Sequence, residues 1–319
     1  MNDIVVEDLS MIYRYKKSVS NHFFSKKILC EKVALDNVSF CIGRGDVVGY
    51  VGLNGAGKTT TMKILSGIIK KTSGMVRVLD SDPFEKSNTF LTKIGLVMGG
   101  KCSLYWDLSV NDSLEFNKKI YNIADGDYAK IKNQLVEILK MGNLLNSQVR
   151  RLSLGERMKA ELLATLIHYP QVVFLDEPTI GLDIVAQNEI RKFLREYNKK
   201  WESTIVLTSH NIDDITEVCN KLMLIEQGKM YYSGTINNFM DQYGGKIAKI
   251  TVSKNVDELI SKAKVLLLPI IKVEGNEIFF DSTNENLFRI QAIWKENLDL
   301  IVDVSIENNS LKDIIAKMF

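Results

Sequence analysis

No stretch of this sequence is apolar for long enough to cross a membrane. The longest clean hydrophobic run, residues 265–271, is broken by Pro269, whereas a spanning helix needs about 18 consecutive apolar residues. Any work at a membrane would require another chain to carry the spanning part. Charge of one sign is equally scarce. The 41 Lys and Arg against 39 Asp and Glu leave a net charge of +2, which gives the whole chain no strong pull toward nucleic acid or anionic lipid. Four cysteines, Cys30, Cys41, Cys102 and Cys219, lie far apart with neither metal-ligand nor redox-pair spacing, and read as small buried hydrophobes in a reducing cytosol. Histidine is rarer still, at His22, His168 and His210. The opening residues MNDIVVEDLS read as a strand start and lack a signal peptide's apolar core. With 45% apolar and 25% charged residues over 319 positions, the composition is that of a globular protein with room for one large domain or two ordinary ones.

What is present is alternation. DVVGYVG (46–52), QVVFLDEP (171–178) and STIVLTSH (203–210) are short apolar runs, and KLMLIEQGKMYYSG (221–234) reads as a hairpin about Gln227-Gly228. Helical patterns separate them, for instance over 185–200 and 212–219. Strands separated by helices predict an α/β domain, its mainly parallel sheet covered on both faces. A mostly helical insert, about residues 103–168, lies between the first two of these strands. It contains capping-like starts at Ser109 with Asp112 and at Ser153 with Glu156. A boundary is expected near Gly244-Gly245, dividing a domain over 1–240 from a small α+β appendage over 245–319 with the strand and helix order of a split βαββαβ unit.

GLNGAGKTT (52–60) fits G-x-x-x-x-G-K-[ST]. In that pattern Gly52, Leu53, Asn54, Gly55, Ala56 and Gly57 turn successive backbone N–H groups toward phosphate oxygens, with glycine where a Cβ would block the approach. Lys58 supplies a mobile cation. Thr59 offers a hydroxyl to Mg²⁺, and the helix that begins there, with Thr60 in its first turn, points its positive end at the anion. The bland alternative is a glycine-rich turn that binds nothing. Asp176, at the tip of the VVFLDEP strand, suits a Mg²⁺ contact, and Glu177 suits a general base near the metal but free of it. Taken alone, such a pair is more often a loop start or a helix cap. Ser153 and Glu156 suffice as a capping box, yet Gly155 inside that first turn costs about 1 kcal/mol relative to alanine and leaves N–H groups open to a second anion. His210 ends a strand at the edge where parallel sheets bind ligands.

Together these elements resemble an ATP-binding cassette protein, the nucleotide-binding subunit of an ABC transporter, over about residues 4–234. Gly52 to Thr60 are similar to the Walker A motif. Residues 172–177 are similar to Walker B, with Glu177 as catalytic glutamate, and LSLGE (152–156) to the family signature. Asp183 is at the D-loop position, His210 at the switch-histidine position, and Tyr13 where an aromatic stacks on adenine. The resemblance implies a P-loop ABC-type ATPase that uses ATP and Mg²⁺. It implies a head-to-tail dimer, expected to be of identical chains, with Ser153, Gly155 and Glu156 of one subunit closing on the γ-phosphate held by Lys58 of the other. The phrases LYWDLSVNDSLEF, VRRLSLGERMKAEL and FLDEPTIGLD look most like exporters of the drug, antibiotic and polysaccharide branch. Their permease is a separate protein, which implies a peripheral position on the cytoplasmic face of the membrane. A soluble cassette acting on ribosomes or DNA is the competing reading. One phosphate loop, one signature and no heptad insertion argue against it, so no nucleic-acid partner is expected. A third reading, a degenerate cassette that scarcely hydrolyses ATP, is opposed by the presence of Lys58, Asp176, Glu177, Ser153 and His210.

VMGGKCSLYW (97–106) stands at the family's Q-loop, where a glutamine reaches Mg²⁺; here that position falls on Gly100. Lys101 has no acceptor to replace it, which leaves Ser103 or the Gly100 carbonyl. A second oddity is the basic segment 14–32, where Arg14, Lys16, Lys17, Lys26, Lys27 and Lys32 face a single acid, Glu31, with Phe23 and Phe24 among them. It reads either as a solvated loop or as a contact with anionic lipid or a permease.

Overall fold

Three five-residue runs, VVGYV, VVFLD and TIVLT, are buried at every position, as expected of strands covered on both faces. They are β3 (Val47–Val51), β6 (Val172–Asp176) and β7 (Thr204–Thr208), the centre of one sheet in a computed structural model that describes residues 1–21, 24–100, 102–282, 284–297 and 299–318. The chain divides into two units, Met1–Ile236 and Asn237–Phe319. The division falls a few residues before the expected one, at the start of a helix, Ile236–Tyr243, that runs on directly from a strand.

In the first unit, β1 (Asn2–Asn21) and β2 (Phe24–Gly43) form a long antiparallel hairpin, and β4 (Ser73–Val78) pairs with β1. The main sheet has the order β5-β6-β7-β3-β8-β9, where β5 is Ile94–Met98, β8 Lys221–Glu226 and β9 Lys229–Thr235. Its first five strands are parallel, and β9 returns antiparallel through the Gln227-Gly228 turn. Between the two sheets lies α1 (Lys58–Leu65). Met62, Ile64 and Leu65 of α1 join Ile4, Leu35 and Ile42 on one side and Tyr50, Phe174 and Val206 on the other in one apolar core.

The short α2 (Asn88–Leu91) precedes β5. The helical insert contains α3 (Val110–Ile120), α4 (Asp125–Leu139) and α5 (Leu154–Leu166), and both expected capping boxes form, at Ser109/Asp112 and Ser153/Glu156. Then α6 (Ile184–Trp201) leads into β7, and α7 (Ile212–Val218) into β8. Strand register aligns the ends of the sheet. Met98 pairs with Asp176, Asp176 with Thr208 and Thr208 with Tyr50, so β3, β5, β6 and β7 end level with one another at one edge.

The basic segment departs from the solvated-loop reading. Pairing continues through Arg14↔Glu31, Lys16↔Leu29 and onward, so 14–21 and 24–32 form a two-stranded ribbon. Its described side chains from Tyr13 to Lys17 are exposed, and a ribbon wet on both faces has no apolar alternation to betray it. His22, Phe23 and Lys101 lie outside the described residues.

In the second unit, α8 (Ile236–Tyr243) leads to β10 (Lys246–Val252), α9 (Val256–Val265), β11 (Ile270–Glu274), β12 (Glu277–Asp281), α10 (Asn284–Glu296), β13 (Ile301–Asn308) and α11 (Leu311–Met318). The sheet order is β11-β12-β10-β13, antiparallel throughout. Ile250 and Phe280 of the sheet pack against Leu259 of α9 and Ile290 and Ile293 of α10.

Candidate active site

The loop between β3 and α1 can be built only from the residues it has. Gly57 has φ +116°, and a Cβ there would lie 2.7 Å from the Ala34 carbonyl oxygen; on Gly52 it would lie 2.2 Å from that of Ile225. Gly55 faces open space, so its need for glycine is conformational, at φ +82°. Gly57 caps α1 without a side chain, leaving first-turn N–H groups to an anion. Lys58 is buried, and its ammonium crosses the loop to donate to the carbonyls of Gly52 at 2.6 Å and Leu53 at 3.3 Å. Burial lowers its pKa, and the carboxylates of Glu177 and Asp176 oppose that shift.

At the end of β6 the buried Asp176 accepts from the Thr59 hydroxyl at 3.0 and 3.3 Å and from the Thr208 hydroxyl at 2.6 Å. Thr208 carries no motif of its own in the sequence. Its signal was a threonine closing an apolar strand one residue before Ser209-His210. Glu177 takes the left-handed conformation, φ +55°, and its N–H donates to the Thr208 carbonyl and hydroxyl. This turn aims the carboxylate at His210, whose Nε2 stands 3.3 Å from one oxygen and whose backbone N–H donates to the other at 3.1 Å. Burial raises the Glu177 pKa; the His210 ring and amide, and Lys58, pull it back.

Tyr13, Asn54, Gly55, Gly57, Lys58, Thr59, Thr60, Glu177 and His210 line one cavity of about 210 Å³ with Lys32 and Ala34. The Tyr13 hydroxyl lies 3.4 Å from that of Thr60. Lys32 reaches the cavity as the cross-strand partner of Tyr13, a pairing that local sequence does not show. A larger cavity, about 350 Å³, lies at the opposite strand ends near Met1, Arg44 and Trp201. Its lining includes Asp3, Asp80 and Glu202 but no glycine-rich loop, so the smaller cavity is the candidate site. Adjacent oxygens from Thr59 and Asp176 fit a hard cation shared with phosphate. Among the described residues no group of three or more His, Cys, Asp or Glu could hold a metal by itself.

Ser153, Gly155 and Glu156 do not line this cavity. Ser153 caps α5, and a Cβ on Gly155 would lie 2.8 Å from that of Ala186, so packing against α6 is reason enough for glycine there. Asp183 caps α6, accepting from the Ala186 N–H at 2.8 Å. In the glycine segment, a Cβ on Gly99 would meet the Asp176 carbonyl at 2.7 Å, whereas Gly100, φ +70°, faces open space. Ser103 points elsewhere than expected of a metal ligand. Its N–H donates to both oxygens of buried Glu161 on α5, at 3.1 and 3.0 Å, and it lines a different groove.

A sequence model for the family described as "ABC transporter" matches residues 35–180. Among curated proteins, the bacitracin transport ATP-binding protein BcrA of Bacillus licheniformis is 31% identical over 301 residues, 92% of this chain and 94% of that protein. The ABC transporter ATP-binding protein NatA of Bacillus subtilis is 29% identical over 222 residues, 70% of this chain and 89% of its own. Among solved structures, cbiO1 of Clostridium perfringens, part of an ABC transporter complex, superposes with a TM-score of 0.62 at 24% identity, covering 83% of this chain and 96% of that one.

Proposed function

The chain belongs to the ABC transporter ATP-binding proteins, which bind and hydrolyse ATP, and we propose that its ATPase drives export through a separate membrane permease. The observation that carries the site assignment is the meeting of Lys58, Thr59, Glu177 and His210 around one cavity, with Asp176 hydrogen-bonded to Thr59 at its edge. In this reading Tyr13 stacks on adenine, and Lys58 with the loop N–H groups holds the outer phosphates. Thr59 and Asp176 hold Mg²⁺, which when bound neutralises phosphate charge. Glu177 accepts a hydrogen bond from the attacking water, and His210 keeps that carboxylate aimed at it. The raised pKa of Glu177 makes its carboxylate a stronger base than an exposed one.

Hydrolysis would need a second copy. Exposed apolar side chains, Ile180, Ile184 (74%), Val185 (68%) and Leu154, surround the Asp183 loop and the α5 start, as a surface covered by a partner would have them. A second chain bringing Ser153, Gly155 and Glu156 to the γ-phosphate would use it. For the permease, a groove of about 550 Å³ lined by Leu91, Leu104, Tyr105, Phe116 and Ile120 is the candidate dock. No helix among the described residues is long and apolar enough to cross a membrane. A peripheral position at the membrane's cytoplasmic face, held there by the permease, belongs to the same reading. The bacitracin-transport relative supports export. The test is ATP turnover by the purified chain and its Glu177→Gln variant, alone and with the co-purified permease. Equal rates for the two would end the reading.

A further inference from the structure

One buried carboxylate has no part in that chemistry, yet it binds the three segments that carry it. Asp214, on α7, is 1% exposed. Its Oδ1 accepts from Arg191 Nε at 2.6 Å, and its Oδ2 accepts from Ser209 Oγ and Thr179 Oγ1, each at 2.5 Å. Ser209 immediately precedes His210, and Thr179 follows Glu177 by two residues. Arg191 is on α6, the helix that Asp183 caps. All three donors are themselves buried. The other Arg191 donors are engaged too, by Asn188 at 3.0 Å, Glu217 at 3.2 Å and Gln187 at 3.4 Å. A second link closes the ring: Asn211 donates from its side chain to Gln187 at 3.3 Å and from its backbone to Ser209 Oγ at 3.0 Å.

A buried ion pair is a weak source of net stability, since apolar residues of similar volume often serve as well. What the carboxylate adds is geometry. It accepts along set directions, and each donor would be left unsatisfied if its segment drifted away. We infer that Asp214 is a positioning residue for hydrolysis, holding the Glu177 turn, the His210 turn and the Asp183-capped helix in one mutual arrangement. Thr208 already ties the strand ends together through the Glu177 amide; Asp214 is the anchor on the far side of both turns, beyond the two contacts between His210 and Glu177 at 3.3 and 3.1 Å. A displacement of about 1 Å at reacting groups can cost ~10²-fold in rate. The inference rests on Glu177 and His210 being the hydrolytic pair.

Two variants test it: Asp214→Asn, and the double change Thr179→Val with Ser209→Ala, which cuts two tethers but leaves the Asp214–Arg191 pair intact. The expected result is a kcat at least about tenfold below wild type with the ATP dissociation constant and KM within about twofold. Thr179→Ser, which keeps the hydroxyl, should lose less than Thr179→Val. A purely structural role would instead lower ATP binding and kcat together with the melting temperature. That parallel loss, or a kcat near wild type in the tether variant, overturns the inference. If Asp214→Asn does not fold, the tether variant decides alone. Glu177→Gln separates the two levels. If it retains turnover, the hydrolytic reading itself has failed; if it is dead while the tether variant is fully active, only the role of Asp214 has failed.

Discussion

The His210 imidazole stands 3.3 Å from the Glu177 carboxylate, and the His210 amide donates to the same group at 3.1 Å. Burial raises the Glu177 pKa, and both His210 contacts lower it. A protonated carboxyl cannot take up a proton from water as a base, so turnover should fall as pH drops through that pKa. In His210→Ala the lowering influence of the ring is gone, so the acid limb of kcat should move to higher pH as the maximum falls. A pH–rate series on both proteins checks this, and a limb that stays put or moves to lower pH contradicts it.

Thr59 and Asp176, the proposed Mg²⁺ ligands, share a hydrogen bond. Asp176→Asn removes a charge from a hard-cation site and should raise the Mg²⁺ needed for half-maximal turnover by about tenfold or more. Thr59→Ala should raise it less. Unchanged Mg²⁺ titrations in both would rule these residues out as the ligands.

Tyr13 borders the cavity at the base of the long ribbon. Removing an aromatic from a base stack costs about 1–3 kcal/mol, so Tyr13→Ala should weaken ATP binding by roughly 5- to 150-fold, with Tyr13→Phe close to wild type. Equilibrium binding of ATP measures it, and equal affinities for all three proteins would place the adenine elsewhere.

The adjacent glycines should respond in opposite ways. Gly99 has the Asp176 carbonyl 2.7 Å from where its Cβ would stand, so Gly99→Ala should displace the end of β6 and depress kcat. Gly100 faces open space, though at φ +70°, so Gly100→Gln should fold at a cost of about 1–2 kcal/mol. It returns an amide oxygen to the position of the family's Q-loop glutamine, and on the proposed reading the Mg²⁺ requirement should fall. If basal rate, Mg²⁺ dependence and stimulation by permease are all unmoved, position 100 plays no part in coupling.

His168 stacks on Tyr121 at 3.7 Å, with the rings within 2° of parallel, and hydrogen-bonds the Ile94 carbonyl. Burial lowers its pKa from 6.5 to about 4. Between those values the unfolded chain binds a proton that the native one does not, so stability is lost as pH falls. The loss is on the order of 3 kcal/mol by pH ~4. Urea unfolding at several pH values should show that slope in wild type and a flatter one in His168→Gln. Parallel profiles would refute it.

The phosphate loop, the strand-end Asp176 and Glu177, and both capping boxes were legible because each rests on residues within a few positions of one another. The C-terminal order of strands and helices was legible for the same reason. The ribbon over 14–32 was not, since a strand wet on both faces shows no alternation. Gly155 was legible as an anomaly, but its packing reason lies in Ala186, across on another helix.

Local residue chemistry thus carried the inventory: where the glycine-rich loop lies, which groups carry charge, and in what order the elements come. It could not supply register. Thr59 and Asp176 stand 117 residues apart and Tyr13 and Thr60 47 apart. Parallel pairing of buried strands, which leaves β3, β6 and β7 ending level, is what brings the first pair together, while the antiparallel ribbon sets Lys32 beside Tyr13. The Asp214 hub has the same origin, because a buried carboxylate takes its partners from whatever segments the packed sheet edge delivers to it.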